Sequence, residues 1–342
     1  MVKIKHLLQD FIVKEKTNIN LEEGPHKIYL LKKTNYTTER AVMQLTRSLH
    51  LPRKFISYAG TKDKNGITYQ YISIKNCSKE KIDNLKLKDI ELEYVGTTKT
   101  EMKLGDLEGN EFEIVLRDLP QDITLKETNE LLIPNYFDEQ RFSTANLQIG
   151  LFLIQKNFKE AINLLSQTDG DFKEKIEEHL QKHPNDFIGA LKILPKKTTL
   201  FFIHSVQSYF FNELLSQKIN QFTKQTYELN YSEGKMLFAD IYPPINSLPL
   251  IGYMTEGYED LLQTKNIVAR DFLIKSLPEF SLEGGERDAF FQVKNLELFP
   301  PEDDEEFTGK KKQKLKFELG SGSYATIVIK SILAKNKLSL EN

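Results

Sequence analysis

Apolar residues recur at alternate positions through much of the first third of the chain, shift to three- and four-residue spacing in the middle, and alternate again near the C-terminus. This order of periods is the strongest limit on the fold. A strand with one buried face needs strand partners, and the late strands find them most simply among the early ones. The alternating runs are DFIVKE (10–15), KIYLLKK (27–33), KFISYA (54–59), ITYQYISIK (67–75), IELEYVG (90–96) and EFEIVLRD (111–118). In the last of these Phe112, Ile114 and Leu116 alternate with Glu111, Glu113 and Val115. Among them TTERAVMQLTRSLH (37–50) carries Ala41, Val42, Leu45 and Leu49 at helical spacing, starts on threonine and is stopped by Pro52. From about residue 121 to 220 the segments LQIGLFLIQ, FKEAINLLSQ, KEKIEEHLQK and TTLFFIHSVQSYFFNELLSQKI read as helices. Strand patterns return in FQVKNLELF (291–299) and QKLKFEL (313–319), ahead of YATIVIKSILAK. The expected class is α+β: one sheet domain, interrupted by a helix-rich insertion and completed by the C-terminal segment.

A chain of 342 residues, 39% apolar and 28% charged, is long enough for two domains. With 47 basic against 49 acidic residues it is no polycation, so any nucleic-acid contact must come from a local basic surface. A single cysteine, Cys77, rules out an internal disulfide and fits a reducing compartment. The N-terminus MVKIKHLLQDFIVKEK carries charges where a secretory signal needs an apolar run, so a cytoplasmic protein is expected. The charge-rich segment PPEDDEEFTGKKKQKLK (300–316) reads as a solvated loop between strands, with its lysines available to phosphate.

Nucleotide chemistry finds no support: there is neither GxxxxGK[ST] nor a GxGxxG opening a helix, and GSGSY (320–324) reads as a turn between strand and helix. His179 and His183 share a helix face, but Pro184 follows at once and no strong third ligand completes a metal set. Cys77 has no obvious base beside it. A carboxylate remains. In YAGTKDKNGITYQ (58–70) Asp63 stands between Lys62 and Lys64 in a turn bounded by Gly60 and Gly66. Asp, Lys, Asn and Gly are ordinary turn residues, so composition alone leaves a charged hairpin and a held reactive carboxylate both open.

AGTKDKNGITYQ resembles the signature of the TruD family of pseudouridine synthases, and further segments resemble that family in order. They are KHLLQDFIVKE (5–15), KLGDLEGNEFEIVLRDL (103–119), NYFDEQRFS (135–143), SVQSYFFNELLSQ (205–217) and FELGSGSYATIVIKSI (317–332), which together span nearly the whole chain. Departures are Leu8 and Gln9 where the family has Pro-Glu, and Asp138 and Ser143 where it usually has glycine. The resemblance implies a catalytic domain with a mixed, largely antiparallel sheet in residues 1–131 and 292–342, split by an inserted TRUD domain in 132–291. It implies an isomerase that converts uridine to pseudouridine in tRNA, at position 13, without metal or cofactor, and we expect a monomer with no membrane partner. By resemblance Asp63 is the catalytic carboxylate and Phe112 the aromatic that stacks on the target base. Read from the strand pattern alone, Phe112 is a core residue. Asn110 is placed to bond the uracil edge or the Asp63 loop, Lys5 to pair with Asp63, and Lys62 to position a phosphate or tune Asp63. Thr68 and Gln70 are expected to fix the loop, and Gln70 also lies among the substrate-binding candidates. Arg141 is expected on an RNA-facing wall, although Asn135, Phe137 and Arg141 fit a structural role at a domain junction equally well. Two other readings stay open: an RNA-binding or RNA-chaperone protein of this fold without turnover, and a carboxylate hydrolase, for which no second acid is marked.

Overall fold

The computed structural model describes residues 1–341 apart from 104, 124, 126–130, 143–144 and 169–171. Leu104 and Ser143, both in segments quoted above, lie outside the described residues. The chain forms two compact units, Met1–Leu132 with Gln292–Asn342, and Ile133–Phe291.

In chain order the first unit opens with β1 (Phe11–Lys16), β2 (His26–Thr34) and α1 (Thr38–Leu49). It continues through β3 (Ile56–Tyr58), β4 (Ile67–Lys75), α2 (Lys79–Asp83), β5 (Ile90–Thr98) and β6 (Gly109–Leu119), and β7 (Leu131–Pro134) leads out of it. The second unit holds α3 (Asn146–Ile154), α4 (Phe158–Gln167), α5 (Lys173–Lys182), α6 (Phe187–Lys192) and the long α7 (Lys196–Phe222). Two hairpin-like pairs follow, β8 (Thr226–Tyr231) with β9 (Gly234–Ala239), and β10 (Ser247–Leu250) with β11 (Gly285–Asp288), with α8 (Glu259–Gln263) between the latter two. The chain returns through β12 (Phe290–Leu298), β13 (Glu302–Asp303), β14 (Lys311–Gly320) and α9 (Ala325–Lys335). The second unit is thus richer in strands than its sequence pattern implied. SLPL contains a proline and GERD is almost wholly charged, so neither shows the alternation that marks a half-buried strand.

The main sheet runs β5-β2-β4-β1-β6-β14-β12-β7, with β3 paired to β4 and β13 to β14. The β1–β4 pair is parallel, while β2–β4, β2–β5, β1–β6 and β6–β14 are antiparallel, so the sheet is mixed and mostly antiparallel. The late strand β14 therefore lies against the early strand β6. Helix α1 begins where Thr37 accepts the backbone N–H of Arg40 and ends at His50 in the left-handed conformation. Its apolar stripe, Ala41, Val42, Leu45 and Leu49, packs with Tyr29, Leu31, Ile72 and Ile74 of the sheet.

Residues opposite one another in a ladder share a face. One row on the inner face is Lys33, Thr68, Val13, Phe112 and Phe317, crossing β2, β4, β1, β6 and β14. The opposite face of the central strands is a ladder of charge. Lys14 lies 2.5 Å from Glu113 and 3.4 Å from Glu111, while Lys314 lies 2.8 Å from Glu113 and Lys316 3.3 Å from Glu111. Alternation in EFEIVLR is the sequence trace of these two faces. The 300–316 segment departs from its expected role as a free solvated loop. Asp304 is buried and accepts from Arg117 Nη1 at 2.8 Å, Glu305 accepts from Nη2 at 3.1 Å, and Asp10 accepts from Nε at 2.8 Å.

Removing the cation from this cluster strands two buried carboxylates. We predict that Arg117→Met lowers unfolding free energy by about 3–5 kcal/mol in chemical denaturation. The ammonium groups of Lys14 and then Lys314 hold the Glu113 carboxyl down at about 2, against an ordinary value of 4.5. Its folded value is depressed, so its contribution to stability is complete above the ordinary carboxylate range and disappears as pH falls toward about 2. Denaturation midpoints of Glu113→Gln and native protein should therefore converge on acidification through that window.

Candidate active site

The loop between β3 and β4 carries Asp63, and three separate devices hold it. Thr38, the first residue of α1, accepts the backbone N–H of Lys62 at 2.8 Å and donates its hydroxyl to Gln70 Oε1 at 2.7 Å. Gln70 on β4 in turn donates from Nε2 to the carbonyl of Gly60 at 3.1 Å. Beneath the loop Lys62 Nζ lies 2.7 Å from Glu15 Oε2 of β1, with both side chains buried. Burial pushes the Glu15 carboxyl up, against the opposing pull of Lys62. The third device is Lys33 of β2, which is buried and donates to the carbonyls of Tyr36 at 2.5 Å, Asp63 at 2.8 Å and Lys62 at 3.5 Å. Gly66 closes the loop with φ 132°, and a Cβ there would meet the Phe11 carbonyl oxygen at 2.4 Å, so only glycine fits.

Asp63 itself is outside this buried set, its side chain 51% exposed. Its Oδ2 lies 3.3 Å from Lys5 Nζ, and the Lys5 ammonium also sits 4.1 Å from the centroid of the Phe11 ring. Lys5 takes a left-handed backbone, φ 59°, which L-residues adopt rarely. Phe11 meets Phe112 edge-on at 6.2 Å, and Phe112 stacks with Phe317 at 5.5 Å and 24°. Phe112 is 8% exposed. Asn110, two residues earlier on the same face of β6, lies beside Glu15 of β1 in register. Its Oδ1 is buried and has no hydrogen-bond partner among the described residues. The contacts thus link Asp63, Lys5, Phe11 and Phe112 in one unit.

The remaining side chains named from the sequence divide between the loop and the second unit. Lys62 is engaged in a buried ion pair, so it supports the loop from below and offers no ammonium to a phosphate. Gln70 is fully buried and clamped between Thr38 and Gly60. Thr68 was expected to bond the loop, yet its buried hydroxyl has no partner among the described residues. Gly60 needs no special backbone, whereas Gly66 does. Arg141 belongs to the second unit, where its guanidinium lies over the rings of Phe137 at 5.2 Å and Phe201 at 4.8 Å. Asn135 and Phe137 are engaged in that unit too. Asn212 of α7 bonds both the N–H and the carbonyl of Phe137, and Asn135 donates to the Asp288 carbonyl at 3.0 Å. His179 bonds Asp186 at 3.0 Å, and Asp186 caps α6 through the N–H of Gly189. Sequence reasoning passed over Lys33, Glu15 and Thr38. A lysine, a glutamate and a threonine at a sheet or helix terminus look like surface residues, and the one available signal was that Glu15 and Lys33 fall on the inward phase of their strands.

The mixed sheet with its carboxylate-bearing loop places the protein in the α+β class. A family model described as tRNA pseudouridine synthase D (TruD) matches residues 1–178, 171–230 and 245–332. The chain belongs to this family of isomerases. A probable tRNA pseudouridine synthase D of Methanosarcina mazei is 29% identical over 99% of this chain and 94% of its own length. One of Archaeoglobus fulgidus is 30% identical over 98% and 95%. The crystal structure of a Methanosarcina mazei protein assigned as TruD superposes with a TM-score of 0.72 at 27% identity, covering 96% of this chain and 92% of that one.

The buried Glu15–Lys62 pair yields a direct test. Lys62→Met should leave an uncompensated buried carboxylate and lower stability by about 3–5 kcal/mol, while Glu15→Leu together with Lys62→Met should recover most of the loss in chemical denaturation.

Proposed function

We propose that the protein is a tRNA pseudouridine synthase that isomerises uridine at position 13, with Asp63 as the catalytic carboxylate. The reading is carried by one observation: a half-exposed carboxylate, held by Lys5, is linked through Phe11 to Phe112 on a single sheet face. Membership of the TruD family and the names of the relatives support the substrate class.

The reaction breaks the N1–C1′ bond, turns the uracil while it is held, and joins C5 to C1′. C5 gives up a proton and N1 gains one, so no electrons are exchanged. The needs are a carboxylate at the reacting ribose or base, a surface on which the base stays stacked, and polar groups that hold its edge. Asp63 supplies the first, and Lys5 orients its carboxylate. Phe112, its ring held in place by Phe317 and Phe11, supplies the second. Asn110 supplies the third: its buried amide oxygen, without a partner among the described residues, can accept the N3–H of uracil. The target base must leave its stack at a cost of a few kcal/mol, which stacking on Phe112 offsets in part. The lysines of the exposed surface would meet the RNA backbone, with recognition resting on shape and phosphate.

Pseudouridine mapping of tRNA incubated with purified protein tests this reading. Native protein is expected to produce pseudouridine at position 13, Asp63→Asn to produce none while still binding tRNA, and Phe112→Leu to react roughly tenfold more slowly, in line with about 1–3 kcal/mol per stacked base. A folded native protein that binds tRNA and forms no pseudouridine would leave a binding protein of this fold.

A further inference from the structure

We propose that Lys33 is a positioning residue of the reaction: its buried ammonium gathers the carbonyls of Tyr36, Lys62 and Asp63, and so fixes the backbone from which the Asp63 carboxylate is presented. The inference rests on the assignment of Asp63 as the catalytic carboxylate.

Three observations carry it. The ammonium has three donors, and the three carbonyls at 2.5, 2.8 and 3.5 Å use all of them. Two of those carbonyls belong to Asp63 and its neighbour, the third to the turn that leads into α1. Lys33 also stands in the sheet row that contains Phe112, so it relates the loop to the strands that hold the aromatic face. Among the described residues no carboxylate is ion-paired with it, although it is 1% exposed. Burying an ammonium on carbonyl dipoles alone is unfavourable compared with an apolar side chain of similar length. A site whose only task was to fill space would be better served by methionine. The charged groups facing Lys33 come from the loop: Lys62 repels its charge and Asp63 attracts it, while its ladder neighbours Thr68 and Ile90 are neutral. Burial first, and Lys62 after it, bring the Lys33 ammonium down to about 8 from its ordinary 10.5.

The experiment compares native protein, Lys33→Met and Lys33→Arg in single-turnover pseudouridine formation, with tRNA affinity and thermal midpoint measured on the same samples. Lys33→Met is expected to react about 100-fold more slowly, the effect of misplacing a catalytic group by roughly an ångström. Its tRNA dissociation constant should stay within about threefold of native, because the loss falls on the reacting geometry and not on ground-state binding. Lys33→Arg, which keeps charge and donors, should recover about tenfold of that loss. A folded Lys33→Met that reacts at the native rate, or an arginine variant no faster than the methionine one, overturns the proposal. If neither variant folds, Lys33→Gln takes their place in the same assays: a slowed reaction at native tRNA affinity supports the proposal, and the native rate overturns it. Native protein that forms no pseudouridine would refute the proposed reaction instead.

Discussion

Lys62 lies in the loop that carries Asp63, and its ammonium is buried against Glu15 of β1. A buried ion pair adds little net stability over an apolar pair of the same size, but either member alone is strongly unfavourable. Its effect is therefore on geometry: it makes one placement of the loop over β1 far better than any shifted one. That placement matters because β1 sits between β4, which begins just after the loop, and β6, which carries Asn110 and Phe112. Glu15 is opposite Asn110 and Val13 opposite Phe112. One contact beneath the loop thus relates the carboxylate above it to the aromatic row that runs through Phe112.

The local sequence around Asp63 suggests a simpler electrostatic arrangement than the fold produces. In TKDK the neighbouring lysines look like natural partners for the aspartate. Lys62 instead turns to a buried carboxylate, Lys64 is exposed, and the cation beside Asp63 comes from Lys5, near the N-terminus. A residue 58 positions away can approach Asp63 because β1 and β4 run parallel and bring their N-terminal ends together.

Much of the first unit was legible because its strands bury one face and solvate the other. ITYQYISIK coincides with β4, and TTERAVMQLTRSLH yields α1 with its threonine cap, since local period and capping chemistry agree with tertiary packing there. KFISYA gave only three strand residues, as Arg53–Phe55 form a helical turn before β3. The strands of the second unit were illegible for the opposite reason: they are short, and their side chains do not alternate in burial strongly enough to leave a period. At the candidate site the motif pointed to Asp63 and Phe112, but the polar residues beneath the loop could not be read. Burial of Lys33, Glu15 and Lys62 follows from which strands become neighbours, and that information is absent from any local window.

Phe112 shows why a core reading and a platform reading need not compete. Its ring lies in a row of inward-facing residues and is nearly covered, as a core residue should be. Phe317 stacks on it from the neighbouring strand, which occupies one face and stiffens the ring against rotation. Phe11 meets it edge-on and holds the Lys5 ammonium over its own ring. A ring that was mobile would lose entropy on taking up a base, whereas one already packed on two sides loses little. What the packing of Phe112 on Phe317 and Phe11 fixes is the orientation of its ring, so the core reading from strand alternation and the ordered aromatic row describe the same contacts.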